Sequence, residues 1–297
     1  MLDLLISTLT QGFIYGLIAY GVFITYKILD FPDLTVDGSF PLGAAITAFM
    51  ITNGANPYLT IPVSLLTGAL AGFVTGMIHV KLGVRDLLAG IITMTALYSV
   101  NLQIAGSSLS LIGNDTVFSL LPLGDTKLIY RKFIFAIIIA IIVKIVLDLY
   151  FKTKSGLMLR GAGDNPTFIT TLAKDSGKTK IMGLSISNAL VALAGCMVCQ
   201  EQRAFSSMMG TGQMVFALAA VLIGITVFKH VSWIKGTTAA VIGSIIYKLC
   251  IQGAIQIGMP ANLLNLISAA LFLIILAVGS IKRKKRPEKS GEVKNNA

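Results

Sequence analysis

The sequence predicts an all-α membrane protein: a polytopic helical bundle of about nine spans, built as an inverted repeat with discontinuous helices. Three observations predict it: the composition, the spacing of the apolar runs, and the placement of the basic residues. Of the 297 residues, 55% are apolar and only 12% are charged, against roughly 25% charged in an ordinary soluble domain. A soluble fold of this length cannot hide so much apolar surface, because its exterior must be polar. The composition therefore excludes a cytosolic enzyme, a disordered chain and a secreted disulfide scaffold.

Runs long enough to cross a bilayer, roughly 17–25 residues, fall at 4–25, 59–79, 86–106, 132–150, 181–200, 234–257 and 262–281. Two more, at 28–52 and 213–228, are shorter or interrupted. The first run has no basic n-region and carries Asp3, so it reads as a retained span rather than a cleaved signal. In lipid each backbone polar group must be paired within its own segment, which makes these runs helices. The alternating ten-residue segments of a β-barrel are missing.

With the C-terminal tail inside, the inner segments hold eighteen Lys and Arg and the outer ones three. This asymmetry predicts a cytoplasmic C-terminus and an external N-terminus. The net charge of +11 thus marks the inner side of a membrane. No soluble domain remains to carry nucleic-acid binding. The chain divides into a membrane domain at 1–281, with a long basic loop at 152–180, and a basic cytoplasmic tail at 282–297.

The runs starting at 4, 59 and 86 recur at 181, 234 and 262, and the two interrupted elements correspond likewise. One span, 132–150, lies between the sets, which turns the second set upside down. Inverted repeats around broken helices are a transporter design.

Chemistry concentrates in two stretches. Asp30 to Gly43 holds Pro32, Pro41, Gly38 and Gly43 between apolar runs. Pro ends a helix, and Asp37 or Ser39 is expected to cap a new one with Pro41 in its first turn. Such a half-helix would offer free N–H groups and a positive dipole end to a passing solute. Asp33 and Asp37 are costly at depth unless they face water or a partner. The second stretch, 152–180, alternates basic and apolar residues, and 167–174 is expected to form a short surface helix suited to docking a soluble partner.

The remaining features have plainer readings. Gly68, Gly72 and Gly76, like Gly12 and Gly16, suit close helix packing within one subunit. Lys144 and Asp148 are spaced to pair. Asn101, Gln103, Asn188, Gln252 and Gln256 are polar within spans, where interhelical hydrogen bonding is expected. Gln200 to Arg203 form a polar stretch at an outer helix end, suited to capping the span or meeting an external protein. Cys196 and Cys199 read as small buried residues rather than a redox pair. Gly177-Lys178-Thr179 lacks the first glycine of a nucleotide-binding loop, and no HExxH, Cys/His cluster or GxSxG occurs. The chain is predicted to be no enzyme and to need neither metal nor cofactor.

Gly156-Leu-Met-Leu-Arg160-Gly-Ala-Gly-Asp-Asn-Pro166, Leu184-Ser-Ile-Ser-Asn188-Ala-Leu-Val-Ala-Leu-Ala-Gly195, Met209-Gly-Thr-Gly212 and Ala219-Ala-Val-Leu-Ile-Gly224 together resemble the permease subunit of bacterial ABC importers of the branched-chain amino-acid and ribose type. Asp33-Leu-Thr-Val-Asp-Gly-Ser-Phe-Pro-Leu-Gly-Ala-Ala45 resembles the tryptophan/tyrosine-type subgroup. Relatives often carry an acidic residue after Gly224, where this chain has Ile225-Thr226. The resemblance covers roughly 4–281. It implies a bacterial plasma-membrane homodimer, two cytoplasmic ABC ATPase subunits, an external substrate-binding lipoprotein, and a small solute such as an aromatic amino acid. It also implies that 152–180 couples to the ATPase through Gly156, Arg160, Gly163, Asp164, Asn165 and Pro166. Asp33, Thr35, Asp37, Gly38, Ser39, Gly210 and Gly212 are the expected translocation-path residues. The alternative from the residues alone is an ion-coupled secondary transporter, with Asp33 or Asp37 as its coupling carboxylate. A non-transporting scaffold leaves the loop and the broken helix without a purpose.

Overall fold

The computed structural model describes residues 2–121, 127–164, 176–228, 231, 234–258 and single positions at 263, 266, 269, 270 and 273. Its α-helices are α1 (Leu2–Val22), α2 (Val36–Thr52), α3 (Thr60–Leu82), α4 (Asp86–Ala105), α5 (Leu128–Tyr150), α6 (Lys154–Asp164), α7 (Ser176–Gln202), α8 (Gln213–Val227) and α9 (Gly236–Gln256). A π-helical turn, Phe23–Ile28, extends α1, and 3₁₀ turns at Pro57–Leu59 and Ser207–Gly210 lead into α3 and toward α8. Among the described residues, seven helices are long and apolar enough to cross a membrane, and Val36–Thr52 is a shorter apolar helix. The predicted span at 262–281 and the tail at 282–297 fall almost wholly outside the described residues. So does the short helix expected at 167–174.

Lipid offers no hydrophobic drive between helices, so close backbone approach has to hold them together. Glycine provides it along three seams. A Cβ on Gly72 would overlap the Leu184 carbonyl, and one on Gly68 the Asn188 carbonyl, which seats α3 antiparallel on α7. Gly12 and Gly16 admit Ile245 and Ser244 of α9 against α1, at 3.0 and 3.2 Å from an ideal Cβ. Gly224 and Gly243 bring α8 and α9 together, antiparallel, against the carbonyls of Ala239 and Ala220. The glycine stripes thus pack helices of one chain, as expected. We expect Gly72→Leu to cost at least about 2 kcal/mol by overpacking, read as a lower thermal midpoint of detergent-purified protein. An unchanged midpoint would contradict this seam.

Both faces of the bundle carry polar clamps. On the face with Lys81, Lys152 and Lys235, here called the basic face, Lys144 and Asp148 pair at 3.0 Å. Lys235 at 2.9 Å and Thr237 at 2.7 Å join the same carboxylate, tying α5 to the start of α9. On the opposite face, β1 (Ser108–Ser110) pairs antiparallel with β2 (Ala204–Ser206), with Leu109 opposite Phe205. Gln200, expected in a polar stretch at the helix end, is instead fully buried. It donates to Thr60 Oγ1 at 3.0 Å and accepts from the Val117 amide at 2.8 Å. Glu201 pairs with Lys132 at 3.1 Å. Within the bundle, Lys248 Nζ sits 3.3 Å from the Tyr15 ring centroid, with Phe216 behind it at 5.4 Å, so aromatic faces offset its desolvation. Cys196 and Cys199 are buried and free.

Candidate functional site

Two helices are interrupted: α2 is short, and α8 reaches spanning length only with the 3₁₀ turn Ser207–Gly210 in front of it. By their rise per residue, α2 spans about 26 Å and α8 about 22 Å, short of roughly 30 Å of hydrocarbon. The start of α2 lies beside Asn188, midway along α7, because Ser39 Oγ donates to Asn188 Oδ1 at 2.7 Å. The start of α8 lies midway along α9, because Phe216 packs edge-on to Tyr247 with centroids 4.8 Å apart. From these levels α2 runs parallel to α7 toward Gln202, and α8 runs antiparallel to α9 toward the basic face. Their N-termini meet inside the bundle.

The expected caps are corrected here. Neither Asp37 nor Ser39 caps α2. That helix begins at Val36, with Thr35 as its N-cap residue, and Pro41 lies in the second turn rather than the first. Asp33 organises the start instead: its Oδ1 accepts from the Thr35 amide at 2.9 Å, a side-chain turn that aspartate favours. Its Oδ2 accepts from Asn188 Nδ2 at 2.7 Å. Thr35 Oγ1 meets Thr75 Oγ1 at 2.8 Å. Asp33, Thr35, Ser39 and Asn188 are all fully buried, so every polar atom there depends on this network.

Asp37 reaches across to the other half-helix. Its Oδ1 accepts from the Met214 amide at 2.7 Å and its Oδ2 from the Gly212 amide at 3.2 Å. It therefore caps α8 from a different helix, where its charge complements the dipole. Gly212 has φ +81°, a left-handed turn that glycine adopts without strain. Pro41 cannot donate to the Asp37 carbonyl, and Gly210 packs against that carbonyl, where a Cβ would overlap it. Asp37 thus takes up amides at the start of α8, whereas at the start of α2 Asp33 takes the Thr35 amide and the amides of Asp37, Gly38 and Ser39 bond to the carbonyls of Leu34 and Thr35.

Beside this junction lies a cavity of about 270 Å³, bounded by Asp37 and Pro41 of α2, by Met94, Tyr98 and Asn101 of α4, and by Ser207. The role of Asn101 was not legible in the sequence beyond its being a polar residue within an apolar run. Its Nδ2 donates to the Gly38 carbonyl at 3.2 Å, and its Oδ1 has no partner among the described residues.

The second predicted set lies on α6. A Cβ on Gly163 would overlap the Ile28 carbonyl, and one on Gly156 the Tyr150 carbonyl. Leu159 of α6 and Leu29 converge on Gly183 of α7, each at 2.6 Å from an ideal Cβ. Arg160 is exposed and stands 5.0 Å over the Phe151 ring. Asp164 ends the helix, while Asn165 and Pro166 lie outside the described residues. The structure brings Asp33, Thr35, Asp37, Gly38, Ser39, Gly210 and Gly212 to one junction. It links α6 to that junction through residues 28–33. Among the described residues, no His, Cys, Asp or Glu cluster is arranged to hold a metal ion.

A multi-pass helical bundle, with two half-helices meeting N-terminus to N-terminus at its centre, defines a membrane protein of the transport class. Comparison with known proteins gives the family: residues 4–276 match the branched-chain amino acid transport system / permease component, and the chain belongs to it. It is 42% identical over 277 residues to the tyrosine transport system permease protein of Clostridioides difficile, covering 93% of this chain and 92% of that one. It is 27% identical to the ribose import permease protein RbsC of Haemophilus influenzae, covering 93% and 81%. Against the probable branched-chain amino acid transport permease protein LivH of Methanocaldococcus jannaschii it is 28% identical over 60% of each. No solved structure matches the chain.

Proposed function

We propose that this chain is the permease of an ABC importer in the bacterial plasma membrane, acting as a homodimer and carrying an amino acid, aromatic by preference, past the α2/α8 junction. The observation that carries this reading is the meeting of two oppositely directed half-helices, held by Asp33 and Asp37 and joined to α6 through Ile28 and Leu29. The halves α1–α4 and α7 onward form the inverted repeat, with α5 between them. The basic face is cytoplasmic, the N-terminus is external, and the 152–180 region is the handle for two ATPase subunits. Leu157 supports that role: it is an apolar side chain 58% exposed on α6, beside exposed Arg160. An external lipoprotein delivers solute to the opposite face. The tyrosine relative's 42% identity over 93% of the chain favours an aromatic amino acid.

Nucleotide binding draws the two α6 handles together, and because packed interiors switch between discrete arrangements, the half-helix junction moves with them. An ion-coupled carrier needs a carboxylate free to load its ion, whereas Asp33 is fully buried and committed to the Thr35 amide and to Asn188. The test is uptake into proteoliposomes holding this chain with its ATPase and binding protein. Radiolabelled tyrosine should accumulate only with ATP and stop when vanadate traps the ATPase. Uptake abolished by ionophores but indifferent to ATP would refute the reading.

A further inference from the structure

We infer that the cavity beside the junction receives its solute by an ammonium group, with Asp37 and Asn101 as the acceptors; this rests on the assignment of that cavity to the transport path. Asn101 is 0% exposed, lines the cavity, and has an Oδ1 with no partner among the described residues. Its orientation is set by the Gly38 carbonyl, which takes the Nδ2 donor at 3.2 Å and so turns the oxygen away. A buried acceptor without a donor is costly in an empty site and is satisfied by an incoming N–H.

The other groups agree in sign. Each Asp37 oxygen accepts one backbone N–H and keeps a lone pair for another donor. Thr95 spends its own proton on the Ile91 carbonyl at 2.8 Å, leaving only acceptor capacity toward the cavity. Among the described residues, no Lys, Arg or His lines the cavity. Asp37 is the charged side chain on the cavity wall, and the buried Lys248 stands against the Tyr15 and Phe216 rings rather than on that wall. Anions are disfavoured there and cations drawn in. Pro41, Met94 and Tyr98 form the apolar wall for the rest of the solute.

The experiment uses charge-matched thiol reagents on the full chain in membranes. In a Cys250→Ser background, where the remaining cysteines are buried, Thr211→Cys places a thiol at the cavity edge. The cationic 2-aminoethyl methanethiosulfonate should label it about tenfold faster than the anionic 2-sulfonatoethyl reagent, after correction for their rates on a free thiol. Asn101→Leu should reduce that preference. Thr95→Lys, which puts a positive charge on the cavity wall, should reverse it. Equal rates, or an anion preference in the parent, would overturn the ammonium site and leave the permease reading standing. Failure of both reagents to reach the thiol from either side would overturn the placement of the cavity on the path, and the ammonium site with it.

Discussion

Asn188→Leu is expected to destabilise the protein by about 3 kcal/mol, although the substitution adds apolar bulk to an apolar bundle. Asn188 Nδ2 holds Asp33 at 2.7 Å and its Oδ1 takes the Ser39 proton at 2.7 Å. All three residues are fully buried. Leucine leaves a carboxylate oxygen and a hydroxyl without partners, each costing about 1–3 kcal/mol and more for a charged group. Ser39→Ala removes only one hydrogen bond and should cost about 1 kcal/mol. Adding Asp33→Asn to Asn188→Leu relieves the charge, so the two changes should couple by about 1–3 kcal/mol in a double-mutant cycle. Thermal unfolding in detergent reads the parent, the three single variants and the double variant. Additive losses would mean that Asp33 does not depend on Asn188.

Gly163→Val should leave a folded protein that couples poorly. The Ile28 carbonyl occupies the space a Cβ would need, so valine lifts α6 off the π-turn while the glycine seams of the bundle are untouched. Residues 28–33 then no longer report the position of α6 to the Asp33 network. We expect ATP hydrolysis by the assembled transporter to persist while uptake per ATP falls roughly tenfold, within the range of coupling energies that interior substitutions change. Gly156→Val, which abuts Tyr150 within the helix turn rather than the junction, should impair uptake less. Equal losses in both variants would remove the Ile28 contact from the coupling route.

The membrane helices were legible because lipid leaves the backbone few options. Runs at 59–79, 86–106 and 132–150 became Thr60–Leu82, Asp86–Ala105 and Leu128–Tyr150. The glycine stripes were legible as packing surfaces for the same reason: a bare backbone at i, i+4 has one common use in a bilayer. The half-helix at 36 was visible from its Pro and Gly cluster, but its caps were not. Which donors Asp37 satisfies depends on which helix stands opposite, and its partners lie 175 and 177 residues away. Local rules gave the aspartate to its own helix, and the fold gave it to another.

The β1–β2 pair was illegible for a different reason. Three-residue strands such as Ser108–Ser110 hold too few positions for an alternation to register, and they pair across almost a hundred residues. Gln200 stands at the end of an apolar run, where a solvated side chain and a buried clamp look alike. Its burial follows from Val117 and Thr60 closing over it. Asn101 showed as polar in a span, but only its packing against Gly38 separates one satisfied atom from one that is not.

The claim on which the account turns is that α6 is the handle grasped by an ATPase in the cytosol. A photo-crosslinking amino acid at Leu157, 58% exposed on α6, tests it in living cells, with Ile112, 81% exposed on the opposite face, as the comparison. The account predicts that position 157 forms an adduct with a nucleotide-binding ATPase subunit and position 112 does not. An ATPase adduct at 112, or none at 157 in cells that are importing solute, would contradict it.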